Sequence, residues 1–178
     1  LHVRSRRQRQ MCIRDSTFVG CKKESGDLTK IKVGVSPVPH AEIVEALKDD
    51  FKTEGLDVEV VTFTDYVQPN IALAEGDLDL NYFQHEPYLK EFCASRNLDL
   101  ANIGAIHLEP MGFYSNKVKS VDEFKDGDEI VIPNDPSNGA RALRLLEDAG
   151  LIKLSDYNSE TITEKDIVEN PKTVSYTH

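Results

Sequence analysis

The sequence predicts an α/β fold with mostly parallel sheets, and three observations carry that prediction. Short alternating or apolar segments recur along the chain: "KIKVGVS" at 30–36, "LDVEVVTF" at 56–63, "LDLNYF" at 78–83 and "DEIVIP" at 128–133. Between them lie stretches whose apolar residues repeat at helical spacing. Gly55, Gly76, Gly127 and Gly150 close those helical stretches, as residues that tolerate a left-handed turn do at helix ends. Strands alternating with helices form sheets whose ligands sit beyond the strands' carboxyl ends.

In the first unit, "PHAEIVEALKDDFKTEG" puts Ile43, Val44, Leu47 and Phe51 on one face of a helix. With its flanking strands it makes a βαβ unit over residues 30–63, whose right-handed crossover makes the strands parallel. A second cycle follows, with Pro69 suited to a first helical turn and Gly76 to its end, then the strand "LDLNYF". "HEPYLKEFCASRN" is the next helix, with Pro87 near its start and Leu89, Phe92 and Cys93 inward. Cys93 reads as a small buried hydrophobe.

"ANIGAIHLEPMGFYS" predicts two extended segments around Glu109 and Pro110. "SVDEF" reads as a capping box, Ser120 capping and Glu123 reaching back, ahead of a short helix. "DEIVIP" is a strand, and the helix over 138–149 turns Leu143, Leu146 and Ala149 inward. "TITEKDIVENPK" begins a further unit.

Composition narrows the classes of function. The chain has 178 residues and a formal net charge of −10; five of its arginines and one aspartate fall in residues 1–16, so the remainder carries −14. An acidic body of this kind argues against a nucleic-acid partner, which needs a basic face. Cys12, Cys21 and Cys93 match no disulfide or metal spacing. No run is apolar enough over sufficient length to span a bilayer as a helix.

Residues 1–16, "LHVRSRRQRQMCIRDS", and the tail 174–178 resemble translated adapter sequence and are expected to be foreign to the fold. Residues 17–30 then form a lead-in. Its "TFVGCKKESGD" resembles the end of a bacterial lipoprotein signal, with Cys21 as the lipid-modified residue, although a plain cysteine in a flexible lead-in explains it as well.

Metal and catalytic motifs fail on spacing. "HEPYL" begins like the zinc-protease pattern HExxH, but position 89 is Leu, and no carboxylate pattern links His40 with His107. No metal site and no cofactor are therefore expected. No nucleophile elbow, phosphate loop or dinucleotide fingerprint occurs, and adjacent residues such as His85 and Glu86 point different ways.

Two features instead suggest a binding site. Tyr82, Phe83, His85 and Tyr88 straddle a strand-to-helix turn at a carboxyl end, where rings with polar tips suit a half-dry cleft. Arg144 has Glu147 and Asp148 one helical turn on, whereas Arg141 has no such partner and falls in the predicted first turn, where the helix dipole disfavours a cation. An anion at that helix start would reverse the penalty, and an exposed arginine paired elsewhere is the alternative. Ser137 or Asn138 is the expected cap, with Asn134, Asp135 and Asn138 as further polar groups.

"KIKVGVS", "GLDVEVVTFTDYVQPNIALAEGDLDLNYFQHEPYL", "GFYSNKVKSVDEF", "VIPNDPSNGARALRLLEDAGLIKL" and "DIVENPK" together closely resemble the methionine-binding lipoproteins of the NlpA/MetQ family over residues 18–172. The resemblance implies an α/β, periplasmic-binding-protein-like (type II) two-lobe architecture, with lobe one at 31–108 and the start of an incomplete lobe two at 109–173. It implies a lobe-one wall of Tyr66, Phe83, His85 and Tyr88, and a clamp by Arg141, beside Asn138, on the ligand carboxylate. It also implies lipidation at Cys21 and a membrane anchor on the extracytoplasmic face. The expected ligand is L-methionine, delivered to a methionine ABC permease and its ATPase without chemistry on the ligand. A methionine-containing dipeptide or derivative is the alternative within that class, and an α/β enzyme acting on a small carboxylate the alternative outside it. Further ligand contacts are expected in sequence beyond this chain.

Overall fold

A computed structural model describes residues 27–158 and 161–177. The foreign-looking segment at 1–16, Cys12 and the lipidation candidate Cys21 lie outside the described residues.

The first sheet is built as the sequence dictates. Strand β1 (Thr29–Val35) runs between β2 (Leu56–Thr62) and β3 (Leu80–Tyr82), and both pairings are parallel. Being central, β1 buries Val33 and Val35, and Ile31, Val58, Val60 and Leu80 pack around them. Gly34 sits between these two valines because no side chain fits there: a Cβ would overlap Asn81 and meet Leu78 Cδ1 at 2.6 Å.

The helix expected between β1 and β2 is broken at Leu47 into α1 (Glu42–Ala46) and α2 (Lys48–Thr53). Leu47 donates its N–H to Val44, only three residues back, and this tight turn separates the two pieces. The second cycle follows the sequence more closely. Helix α3 (Gln68–Glu75) carries Pro69 at its start and stops at Gly76 in the left-handed conformation, and α4 (Glu86–Arg96) follows β3. Cys93 is a free thiol and only half-buried, less enclosed than expected.

Residues 98–115 contain no strand, contrary to expectation. Ile103, Ile106 and Leu108 are exposed in this segment, at 80%, 72% and 91%, because none of the described residues pairs with it as a ladder. The capping box at Ser120 is also absent. Ser120 makes no side-chain cap, and Glu123 Oε2 accepts instead from the Lys119 N–H at 3.0 Å.

A second apolar cluster lies beyond this segment. Strand β4 (Glu129–Val131) contributes Ile130, and helix α5 (Pro136–Asp148) contributes Ala140, Ala142, Leu143 and Leu146. Leu151, Ile152, Leu154, Ile162 and Val174 complete it. Strands β5 (Lys153–Leu154) and β6 (Ile167–Glu169) pair antiparallel, while β4 pairs parallel with β7 (Ser175–Thr177). The protein thus has two α/β layers with separate cores. Among the described residues, no helix is long and apolar enough to cross a membrane.

Candidate functional site

The turn between β3 and α4 is held from beneath by a buried amide network. Asn70 is fully buried, and it exchanges two hydrogen bonds of 2.8 Å with the Gln84 side chain. Asn81 Nδ2 donates to the Pro69 carbonyl at 2.8 Å and to Asn70 Oδ1 at 3.2 Å. Asn81 Oδ1 is buried without a hydrogen-bond partner among the described residues, whereas the Asn70–Gln84 pair is mutually satisfied and fixes geometry more tightly than apolar contacts do. Gln84 lies between Phe83 and His85, and Asn81 two residues before Phe83, so the turn is positioned by residues that the sequence pattern did not single out. Its signal was a lone Asn amid the helical pattern of "QPNIALAE".

On this support stand the rings. Phe83 lies 6.1 Å from Tyr66 and 6.4 Å from Tyr88, and His85 is stacked on Tyr88 at 6.4 Å. These spacings fall within the usual range for aromatic pairs. The Tyr88 hydroxyl donates to the Tyr66 carbonyl at 2.9 Å. Burial, followed by the charges of Asp135 and Glu91, pushes the Tyr88 phenol up to about 12, so it stays a donor at neutral pH. Tyr66 itself is 55% exposed.

A cavity of about 540 Å3 opens beside this cluster. Phe83, His85, residues 100–109 and Arg141 are among its lining, whereas Tyr66, Tyr88 and Asn138 are not. A second cavity of about 480 Å3 lies near Lys30, Asp57 and Asp79, at the amino ends of β1 and β2. In a parallel sheet the carboxyl ends carry the ligands, which favours the first.

Arg141 comes from α5, and two expectations about it are corrected. The cap is Asp135, not Ser137 or Asn138: its Oδ1 accepts from the Asn138 N–H at 2.8 Å, and α5 starts at Pro136. Arg141 therefore falls in the second turn, and the carboxylate at the helix start belongs to the protein itself. Nor does Arg141 lack partners. Nη1 donates to Asn138 Oδ1 at 3.0 Å, and Nη2 to the Glu109 carbonyl at 3.1 Å. Both acceptors are neutral, so the guanidinium is oriented without its charge being neutralised. Arg144 Nε donates to the Tyr157 carbonyl at 3.0 Å.

His85 links the two layers electrostatically. Burial lowers its pKa first, the nearby Arg141 charge lowers it further, and Asp135 works against both. Its Nε2 is buried with no hydrogen-bond partner among the described residues. A buried polar atom left unsatisfied beside a cavity is a place where a ligand atom gains a bond at little desolvation cost.

His40, His107 and Glu109 also meet on the cavity wall, although no spacing in the sequence linked them. Their ligating atoms all lie within 4.8 Å of one another. Tyr82, in the aromatic cluster of the sequence, turns toward this group and not toward Phe83: its hydroxyl lies 2.6 Å from His107 Nδ1 and its ring 4.7 Å from that of His40.

Three comparisons show what the chain as a whole resembles. The sequence profile described as NlpA lipoprotein matches residues 31–178. The D-methionine-binding lipoprotein MetQ of Salmonella typhi is 47% identical over 156 residues, which cover 87% of this chain and 58% of that protein. Among solved structures, the methionine binding protein MetQ superposes with a TM-score of 0.80 at 44% identity, over 83% of this chain and 61% of the other. A nutrient binding protein from Burkholderia cenocepacia bound to methionine gives 0.78 at 42% identity, over 83% and 63%. The chain thus spans about three fifths of the length of these relatives.

Proposed function

Since the chain belongs to the NlpA lipoprotein family, we propose that the full-length protein is an extracytoplasmic binding lipoprotein that captures L-methionine and delivers it to an ABC permease and its ATPase. The observation that carries this reading is the cavity between Phe83 and His85 on one side and Arg141 on the other, whose guanidinium has only neutral partners among the described residues. A free amino acid offers a carboxylate for Arg141, and a thioether gains about 0.3–1.5 kcal/mol against each aromatic edge.

In this reading lobe one covers residues 31–108 and lobe two begins at 109, so the ligand is held across the junction. Asn138 orients Arg141 and does not touch the ligand, and Tyr66 and Tyr88 back the Phe83 wall. Cys21 carries the lipid that tethers the protein to the outer face of the membrane. Residues of the full-length protein beyond this chain complete the cleft and cover Ile103, Ile106 and Leu108. Closure of the lobes over the ligand then gives the form that the permease recognises.

The volume also suits a methionine-containing dipeptide. Calorimetry on the full-length protein with L-methionine, D-methionine, glycyl-methionine and leucine separates these ligands. The expected result is one site per chain with micromolar or tighter affinity for L-methionine and none for leucine. Absence of binding to every methionine compound, or turnover of any of them, overturns the reading.

A further inference from the structure

We propose that His40, His107 and Glu109 form a binding site for one divalent transition-metal ion of the zinc class, joining the first sheet's layer to the segment that leaves it. Two imidazoles and a carboxylate are a donor set that suits this class of ion. His40 follows β1 and is buried, whereas His107 and Glu109 lie 67 and 69 residues later in the unpaired segment. An ion at their centre would therefore pin a stretch that no ladder holds.

Two of the three ligand separations are close to what an ion requires, and all three ligating atoms lie within 4.8 Å of one another. Zinc bonds of 2.0–2.1 Å in a tetrahedral arrangement place ligand atoms roughly 3.4 Å apart. His107 Nε2 and His40 Nε2 stand 2.9 and 3.6 Å from Glu109 Oε1, on either side of that separation. The second distance is too long for a hydrogen bond, so His40 Nε2 faces the carboxylate without being committed to it.

Both imidazoles are also braced from behind, as metal-ligating histidines are. His40 Nδ1 lies 2.6 Å from Ser36 Oγ, and His107 Nδ1 lies 2.6 Å from the Tyr82 hydroxyl. A hydroxyl both donates and accepts. Tyr82 can donate to His107 Nδ1 when Nε2 keeps its proton for Glu109, and can accept from Nδ1–H when Nε2 turns its lone pair to an ion. Loading at His107 is therefore a change of tautomer that keeps its Tyr82 partner. Three protein ligands leave the fourth position to water or a small donor on the cavity side, where His40, Tyr82, His107 and Glu109 are part of the wall.

The test is a titration of chelator-stripped full-length protein with zinc and with cobalt(II), without methionine, so its outcome is independent of the transport reading. The expected result is one ion per chain, with a cobalt spectrum that lacks the near-ultraviolet thiolate band and thus excludes the cysteines. Glu109→Gln and His107→Ala abolish that binding. Ser36→Ala and Tyr82→Phe, which leave all three ligands in place, weaken it about 10- to 100-fold. Circular dichroism identifies any variant that fails to fold, and the milder pair then decides. No stoichiometric binding to the native protein, or equal binding by Glu109→Gln, overturns the proposal.

Discussion

Arg141 donates through Nη2 to the Glu109 carbonyl at 3.1 Å, so the one cation on the cavity wall from α5 is tied to the segment that carries the chain out of the first layer. Its other amino group rests on Asn138. The two acceptors hold the guanidinium plane without neutralising its charge.

Asn138→Ala removes one of these acceptors but leaves the backbone cap on Asp135 intact. A typical hydrogen bond contributes about 0.5–1.5 kcal/mol. Methionine affinity is therefore expected to fall about two- to tenfold, with little change in Tm. Calorimetry beside a thermal melt checks this, and an unchanged affinity removes Asn138 from its orienting role.

His85 makes stability depend on pH. Its folded pKa lies below the ordinary histidine value near 6.5, chiefly through burial and then through Arg141. The unfolded chain therefore binds the proton first as pH falls, and stability present above about pH 6.5 is lost as pH drops toward the folded value. His40, also lowered by burial, adds to the same trend. Urea unfolding between pH 8 and 5 should show a shallower decline for His85→Asn than for the native protein. Parallel declines would mean that His85 takes no part.

Gly34→Ala places a methyl group against Asn81 and Leu78 in the centre of the sheet. Overpacking of this kind costs about 1–3 kcal/mol. Because Asn81 braces the β3–α4 turn, methionine affinity should fall together with the urea midpoint. A variant of native stability would show that the strands part more easily than the packing implies.

Tyr88→Phe deletes the hydroxyl that holds the Tyr66 carbonyl but keeps the ring between Phe83, His85 and Phe92. The expected cost is about 1 kcal/mol of stability, with ligand affinity nearly unchanged because Tyr88 does not line the cavity. A loss of affinity beyond tenfold would place its hydroxyl in contact with the ligand.

Periodicity made the β1, β2 and β3 strands, the aromatic turn and the α5 helix legible, because each is set by neighbours in sequence. The start of α5 was misread by two residues: Asp135, Ser137 and Asn138 are all good caps, and only the Asp135 bond to the Asn138 N–H decides among them. The Leu47 break rests on one tight turn inside an unbroken apolar pattern. Glu109 was invisible as a partner of His40 and Arg141, since spacing reports which face a residue occupies and not which distant element comes to meet it. Asn70 was missed for the same reason, its partners lying 11 and 14 residues away.

If Arg141 clamps the carboxylate of a methionine seated against Phe83 and His85, as proposed, calorimetry on full-length protein carrying Arg141→Ala reads out its loss. Removing one partner of a buried, hydrogen-bonded charge pair costs about 2–5 kcal/mol, so the expected affinity for L-methionine is at least about thirtyfold weaker with the fold intact. An affinity within a factor of two of the native value would contradict it.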